Sequence, residues 1–180
     1  MPRLWLVTDP ARLPDPLAAA ARLPRGSGII YRAFGSADAL GAAKALQDLT
    51  RRRGLTLLIG ADEALAAAAR ADGVHLPERL TARARLIRAR HPRWIVTSAA
   101  HSGHALRRAK TAGCDAALLS PVFPSRSASA GRPLGLVRFA GLARSSAMPV
   151  IALGGVTNET APGLVRAGAY GLAAVEALCP

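Results

Sequence analysis

Residues 149–158 read Pro-Val-Ile-Ala-Leu-Gly-Gly-Val-Thr-Asn, an apolar run that ends in two glycines. The run predicts a buried strand, and Thr157 and Asn158 predict the start of a helix. Glycines at the end of a strand let backbone N–H groups approach a ligand, and a helix N-terminus favours an anion there. Gly154 and Gly155 are therefore candidate phosphate-binding residues. The alternative is a tight strand-to-helix turn capped by Thr157 or Asn158.

Similar apolar runs recur along the chain, separated by Ala-rich segments with helical periodicity. Together with 150–153, the strand candidates are 4–8, 28–32, 56–59, 73–76, 94–98, 116–119 and 171–175. Continuous apolar runs predict strands buried on both faces, as in a parallel sheet with helical crossovers. Eight such units predict one α/β domain, residues 1–180, folded as a compact (β/α)₈ TIM barrel. An open, doubly wound sheet is the alternative.

The chain ends at Pro180, shortly after the eighth strand candidate, so we expect the eighth helix to be missing or reduced. The apolar outer faces of the first and last strands would then be partly exposed. They carry Leu4, Leu6, Leu172 and Ala174. We expect a homodimer that covers them.

The composition, 51% hydrophobic and 19% charged, is that of a single globular domain. No run is long enough to cross a bilayer and no leader precedes the first strand, so we expect a cytoplasmic protein without membrane partners. The net charge of +13 lies mainly in Ala- and Leu-rich helical runs, which predicts solvated helix faces. Nucleic-acid binding is the alternative, but aromatic residues, at 4%, are too few for base-stacking platforms.

In a barrel of this kind, the chemistry lies where the strands end. The polar and glycine residues there, with one neighbouring valine, are Thr8, Asp9, Arg32, Gly60, Asp62, His75, Ser98, His101, Ser120, Ser125, Arg126, Ser127, Gly154, Gly155, Val175 and Glu176. Hydrogen-bond donors outnumber carboxylates, which favours a phosphorylated small molecule over hydrolysis by a carboxylate pair. No His or carboxylate spacing predicts a metal site.

Several of these residues also have a purely structural interpretation. Asp9 is favoured as a turn residue, Asp62 as a helix cap and His75 as a core imidazole. Arg32 ends an apolar strand, where its charge is costly unless it meets an anion or a carboxylate, so a functional role is favoured. The loop 120–127 is either a rigid connection or a ligand lid.

Several short motifs follow one another with the spacing of a known family. They are Leu-Trp-Leu-Val-Thr-Asp at 4–9, Ala-Asp-Gly-Val-His-Leu at 71–76, Ser-Pro-Val-Phe-Pro-Ser at 120–125, Pro-Leu-Gly at 133–135, Ile-Ala-Leu-Gly-Gly-Val-Thr at 151–157 and Ala-Gly-Ala-Tyr-Gly at 167–171. Over essentially the whole chain, they resemble the thiamine phosphate synthase/TenI family. The resemblance implies a (β/α)₈ barrel that binds a thiazole phosphate.

The resemblance implies one of two activities. In the synthases, the thiazole attacks a pyrimidine carried as a Mg²⁺-bound pyrophosphate, which yields thiamine phosphate and pyrophosphate. In the TenI-like branch, the same pocket tautomerises a thiazole carboxylate phosphate without a metal.

The synthase motifs for pyrimidine and metal are altered in this chain. Synthases carry Gln-x-Arg-x-Lys after the second strand, where Ile30, Arg32 and Phe34 stand here. Their Asn-Asp pair, which holds pyrimidine and Mg²⁺, falls on Gly60 and Ala61. The matched positions therefore keep only the arginine.

Two further synthase positions are altered as well. The second metal carboxylate falls on Leu80 and the lid lysine near Ala128, while Asp62 and Glu78 are the nearest carboxylates. The comparison therefore predicts no metal-binding residues and no resident cofactor, with Mg²⁺ required only if the chain is a synthase.

The thiazole-phosphate half of the family site is better preserved. Its candidate ligand-binding residues are Ser98, Ser125, Arg126, Ser127, Gly154, Gly155, Val175 and Glu176, and the candidate catalytic residues are Arg32, His101 and Ser120. Ser120 and Pro121 replace the TenI proton-carrying histidine. Glu176 replaces a serine near the phosphate, which it would repel unless Arg126 or Arg132 intervenes.

The resemblance thus predicts a divergent member of the family, acting on a thiazole phosphate in thiamine biosynthesis or salvage. A TenI-like, thiazole tautomerase-like protein is favoured over a Mg²⁺-dependent synthase. The alternatives are a genuine thiamine phosphate synthase and a non-catalytic barrel that binds a phosphorylated ligand or has a regulatory role.

Overall fold

Eight parallel strands close into a barrel in sequence order in the computed structural model, which describes residues 1–125 and 131–176. The strands are β1 Leu4–Val7, β2 Gly28–Tyr31, β3 Thr56–Gly60, β4 Gly73–Leu76, β5 Ile95–Ala100, β6 Ala116–Leu119, β7 Val150–Leu153 and β8 Gly171–Ala174. The barrel closes where β1 pairs with β8, with Trp5 opposite Ala173. The predicted (β/α)₈ barrel is confirmed, and the open sheet is wrong.

Helices alternate with the strands around the outside. They are α1 Pro16–Ala21, α2 Ala39–Arg53, α3 Glu63–Ala68, α4 Ala84–Arg90, α5 Gly103–Thr111, α6 Leu136–Ser145 and α7 Ala161–Arg166, and a 3₁₀ helix, Glu78–Arg83, precedes α4. Asp15, Asp38, Asp62 and Ser102 cap helices by accepting a backbone N–H in the first turn. The favoured structural role of Asp62 is thereby confirmed.

The apolar side chains form two layers because successive residues of a strand face opposite sides of the sheet. Trp5, Ile30, Leu58 and other inward residues fill the barrel. Their neighbours, such as Leu6 and Leu57, pack outward against the helices. Because all eight strands are parallel, the polar residues at their carboxyl ends lie at one rim of the barrel.

Trp5 fills the space beside β2 completely. Its side chain is fully buried, and its Nε1–H donates to the carbonyl of Pro2. A Cβ on Gly28 would lie within about 2.3 Å of the indole ring, so only glycine fits opposite it.

The outer faces of β1 and β8 are better covered than the sequence predicts. Leu6 and Ala174 are buried, so the expectation that they would be partly exposed is wrong, whereas Leu4 and Leu172 are half-buried. The predicted absence or reduction of an eighth helix concerns residues outside the described ones. A homodimer stays a prediction. None of the helices in the described part of the chain is long and apolar enough to cross a membrane.

Candidate functional site

Two adjoining cavities open at the rim formed by the carboxyl ends of the strands. We call them the inner cavity, of about 80 Å³, and the outer cavity, of about 210 Å³. Both are lined by Arg12, Ser125, Leu153, Gly154 and Val175. The inner cavity adds Arg32, His101 and Ser120, and the outer cavity adds Gly155, Thr157 and Glu176. The structure therefore brings most of the predicted site residues together in one mouth.

Gly154 and Gly155 line the mouth in the left-handed region, with φ of +98° and +63°. A Cβ on Gly154 would lie about 2.8 Å from the Cα of Pro121, and one on Gly155 about 2.6 Å from the Cβ of Phe123. The amide of Phe123 also donates to the carbonyl of Gly154, at 3.1 Å. Both glycines are thus required by the close approach of the loop after β6, in addition to any role in ligand binding.

The helix predicted to start at Thr157 begins later. Thr157 and Asn158 lie in a turn, and α7 starts at Ala161. The turn is closed locally, because Thr160 Oγ1 accepts the amide of Thr157 at 2.8 Å and donates to the carbonyl of Gly155 at 3.1 Å. The Thr157 hydroxyl in turn accepts the amide of Thr160 at 3.3 Å, and its carbonyl accepts the amide of Ala161 at 2.9 Å. The alternative of a tight turn capped by Thr157 is therefore confirmed, and a role of the following helix N-terminus in anion binding stays a prediction.

Arg32 meets a carboxylate at the rim, as its position after an apolar strand predicts. Its Nη2 lies 3.2 Å from Asp9 Oδ2, and its Nε donates to the carbonyl of Thr8 at 2.6 Å. Burial lowers its pKa below the ordinary value, while Asp9 raises it. Asp9 also accepts the amide of Ala11, so its predicted turn role is confirmed and it additionally holds Arg32.

Arg12, which the sequence analysis missed, bridges the loops that follow β1 and β8. Its Nε donates to Glu176 Oε1 at 2.8 Å. That hydrogen bond raises the pKa of the Arg12 guanidinium. Because β1 and β8 are neighbours only in the closed barrel, the fold is needed to place this arginine. The sequence feature that indicates a role for Arg12 is its position just past the end of the first strand.

His101 is anchored at the rim through one ring nitrogen. Its Nδ1 lies 2.7 Å from the carbonyl oxygen of Ser120, and its backbone amide donates to Glu78. A carbonyl only accepts, so Nδ1 carries the hydrogen and Nε2 of the neutral ring is left as a proton acceptor. The Ser120 hydroxyl is 3.5 Å from Nδ1, too far for a strong hydrogen bond, and so can serve a ligand.

Two predicted residues lie away from the mouth. Ser98 is fully buried on the outer face of β5, where its hydroxyl is 2.6 Å from that of Thr81 in the 3₁₀ helix. This placement corrects the expectation that Ser98 binds a ligand. His75 faces the barrel interior with Nδ1 3.0 Å from the Thr97 hydroxyl, as expected of a core imidazole. Burial, and then the charge of Arg32, lower its pKa to about 4.

The carboxylates nearest the positions matched to synthase metal ligands are bound to groups of the protein. Asp62 uses Oδ1 to cap α3, and Glu78 bonds Arg108 and the amide of His101. Over residues 1–125 and 131–176, no three His, Cys, Asp or Glu side chains cluster as a metal site. Arg126 and Ser127, and the lid position near Ala128, lie outside the described residues.

Comparison with known proteins gives a consistent result. The sequence model of a family described as "Thiamine monophosphate synthase" matches residues 4–178. The thiamine-phosphate synthase of Methylobacillus flagellatus is 35% identical over 179 residues, which cover 95% of this chain and 82% of that protein. The corresponding enzyme of Bacillus velezensis is 28% identical over 173 residues, with 91% and 77% covered.

A solved structure has the same fold. The thiamine phosphate pyrophosphorylase from Pyrococcus furiosus superposes with a TM-score of 0.83 at 23% sequence identity. The match covers 96% of this chain and 85% of that one.

Proposed function

The chain belongs to the thiamine-phosphate synthase family, and from that membership we propose that it binds a thiazole phosphate at the mouth of its barrel. The observation that carries the proposal is the outer cavity, in which a guanidinium, Arg12, faces the Gly154–Gly155 rim. Backbone N–H groups and a guanidinium are the donors that bind a phosphate best. The inner cavity would take the thiazole ring.

We further propose TenI-like chemistry, which moves a proton on the substrate without Mg²⁺. The donor set supports this choice, because Gly60 and Ala61 carry no carboxylate and Asp62 is engaged as a cap. Such a reaction needs a residue that takes a proton from one position and returns it at another. His101 is the candidate, with Nε2 as its accepting atom.

The other rim residues have complementary roles in this mechanism. Nδ1–H of His101 stays on the Ser120 carbonyl, which holds the ring in place and stabilises its charged form after Nε2 takes the proton. The Ser120 hydroxyl donates to the substrate. Arg32, fixed by Asp9, presents its remaining N–H groups to the substrate carboxylate. Ser125 and Val175 shape the walls shared by the two cavities.

A Mg²⁺-dependent synthase is the second candidate, because the relatives named above are called thiamine-phosphate synthases. Two assays separate these activities. A tautomerase converts the thiazole carboxylate phosphate in the presence of a chelator. A synthase forms thiamine phosphate from thiazole phosphate and the pyrimidine pyrophosphate only when Mg²⁺ is added.

Calorimetry tests the binding proposal directly. We expect thiazole phosphate to bind at least about tenfold more tightly than the thiazole alcohol, since the phosphate supplies the charge that the mouth recognises. Equal affinity for the two compounds, or no binding of either, would overturn it. A non-catalytic barrel would bind the phosphate and show neither activity.

A further inference from the structure

The phosphate-facing cavity contains a carboxylate as well as a guanidinium. Glu176 and Arg12 both line the outer cavity, and their side chains form an ion pair at 2.8 Å. The backbone of Arg12 is held in place, since its amide donates to the carbonyl of Asp9 at 3.0 Å. In the ligand-free protein, the guanidinium in this cavity is therefore already paired with a carboxylate of the protein.

Arg12 has donors left for a second anion. Of its guanidinium N–H groups, only Nε–H donates to a residue of the described part of the chain, so the two terminal nitrogens remain available to the cavity. A planar guanidinium binds carboxylates and phosphates with the same fork of N–H groups. A phosphate in the outer cavity would thus compete for the group that Glu176 now holds.

The two anions cannot share this space cheaply. Two anions held by one guanidinium repel each other, and the second charge of a phosphate adds to that repulsion. One of them has to leave when the other arrives. Glu176 is able to leave, because its side chain is 33% exposed at the edge of the cavity.

We propose that Glu176 occupies the phosphate position in the ligand-free protein and that an incoming phosphate displaces it from Arg12. Arg12 is then a ligand-binding residue supplied by the loop after β1, and Glu176 is an internal competitor that lowers affinity for phosphorylated ligands. The inference rests on the proposed function, because it assumes that a phosphate enters the outer cavity.

The opposite roles of the two residues make the proposal testable by calorimetry. We expect Glu176→Gln to tighten thiazole phosphate binding about tenfold, because it removes the competing charge, and to leave the alcohol within about twofold. Arg12→Gln should weaken thiazole phosphate binding about tenfold or more. Glu63→Gln is the matched control, since Glu63 pairs with Arg83 and Arg90 on the outer surface.

The outcomes separate the inference from the proposed function. If the wild-type protein binds no thiazole phosphate, the proposed function fails. If it binds, but Glu176→Gln weakens binding or leaves it unchanged, Glu176 merely positions Arg12 and the inference is overturned. Circular dichroism and the urea midpoint confirm folding of each variant. Repeating the titration with inorganic phosphate should show the same order of affinities if the competition concerns the phosphate group alone.

Discussion

The ring nitrogen Nδ1 of His101 lies 2.7 Å from the carbonyl oxygen of Ser120, which fixes the tautomer of an exposed histidine at the barrel rim. The loop after β5 is thereby tied to the loop after β6. The same contact leaves Nε2 directed away from the protein acceptor, so that anchoring and proton transfer use different atoms of one ring.

Replacement of His101 by asparagine separates these two roles. The amide of His101→Asn can still donate to the Ser120 carbonyl but has no equivalent of Nε2. We expect tautomerisation of the thiazole carboxylate phosphate, followed by proton NMR, to slow about 100-fold or more. Affinity for thiazole phosphate should change less than about threefold.

The control for this variant is His104→Asn, which removes another exposed histidine from α5. It should leave the rate unchanged. Retention of the full rate by His101→Asn would mean that another group carries the proton.

Replacement of Gly155 should destabilise the protein because of the atoms packed around it. An alanine Cβ would lie about 2.6 Å from Phe123 Cβ and 2.9 Å from the Pro124 carbonyl, at φ of +63°. We expect Gly155→Ala to lower the free energy of unfolding by about 2 kcal/mol, measured by urea denaturation.

The same substitution at Gly141 should have the opposite sign. Gly141 lies inside α6, and a Cβ there meets nothing within 4 Å. Gly141→Ala should stabilise the protein by about 1 kcal/mol through helix propensity. Equal effects of the two substitutions would contradict the described packing of the loop after β6.

The stability of the protein should depend on pH through His75. Its folded pKa is about 4, below the ordinary value of 6.5, so the folded state binds the proton less well than the unfolded state. The stability that depends on a neutral His75 is fully present above pH 6.5 and is lost as the pH falls toward 4. The loss in the free energy of unfolding is at most about 3 kcal/mol.

Subtraction isolates the His75 contribution. The difference in unfolding free energy between the wild type and His75→Asn should shrink steadily between pH 6.5 and 4.5, because asparagine keeps a polar group near Thr97 but does not titrate. Parallel stability curves for the two proteins would rule out a desolvated His75.

The barrel was predictable because strands buried on both faces appear as uninterrupted apolar runs, and their order alone implies helical crossovers. The residues at which the strands end were harder to predict. The fifth strand was expected to stop at Ser98 but continues to Ala100. Ser98 therefore lies within the strand and faces outward, and the alternation of side chains removes it from the mouth.

The charged part of the mouth depended on contacts that sequence spacing does not show. The pairing of Arg12 with Glu176 joins opposite ends of the chain, and only barrel closure makes them neighbours. Thr157 resembles a helix cap in sequence, and its hydroxyl does accept the amide of Thr160 in the turn that leads into α7. Regular helix is recognised only from Ala161, because Pro162 in the first turn has no amide hydrogen to donate to the preceding turn.

Ala61 has an unfavourable backbone conformation at the position matched to the synthase aspartate. It has φ of +63°, a conformation that costs an alanine roughly 1–2 kcal/mol, and its amide donates to the carbonyl of His75. Asn and Asp adopt this conformation more readily, and Ala61 is matched to the synthase aspartate. We expect Ala61→Gly to stabilise the protein by about 0.5–1 kcal/mol, after the extra chain entropy of glycine is subtracted. Ala64→Gly, at an exposed position in α3, should instead destabilise it by about 0.5–1 kcal/mol. Urea denaturation of both variants is the measurement, and destabilisation by both would show that Ala61 is not strained.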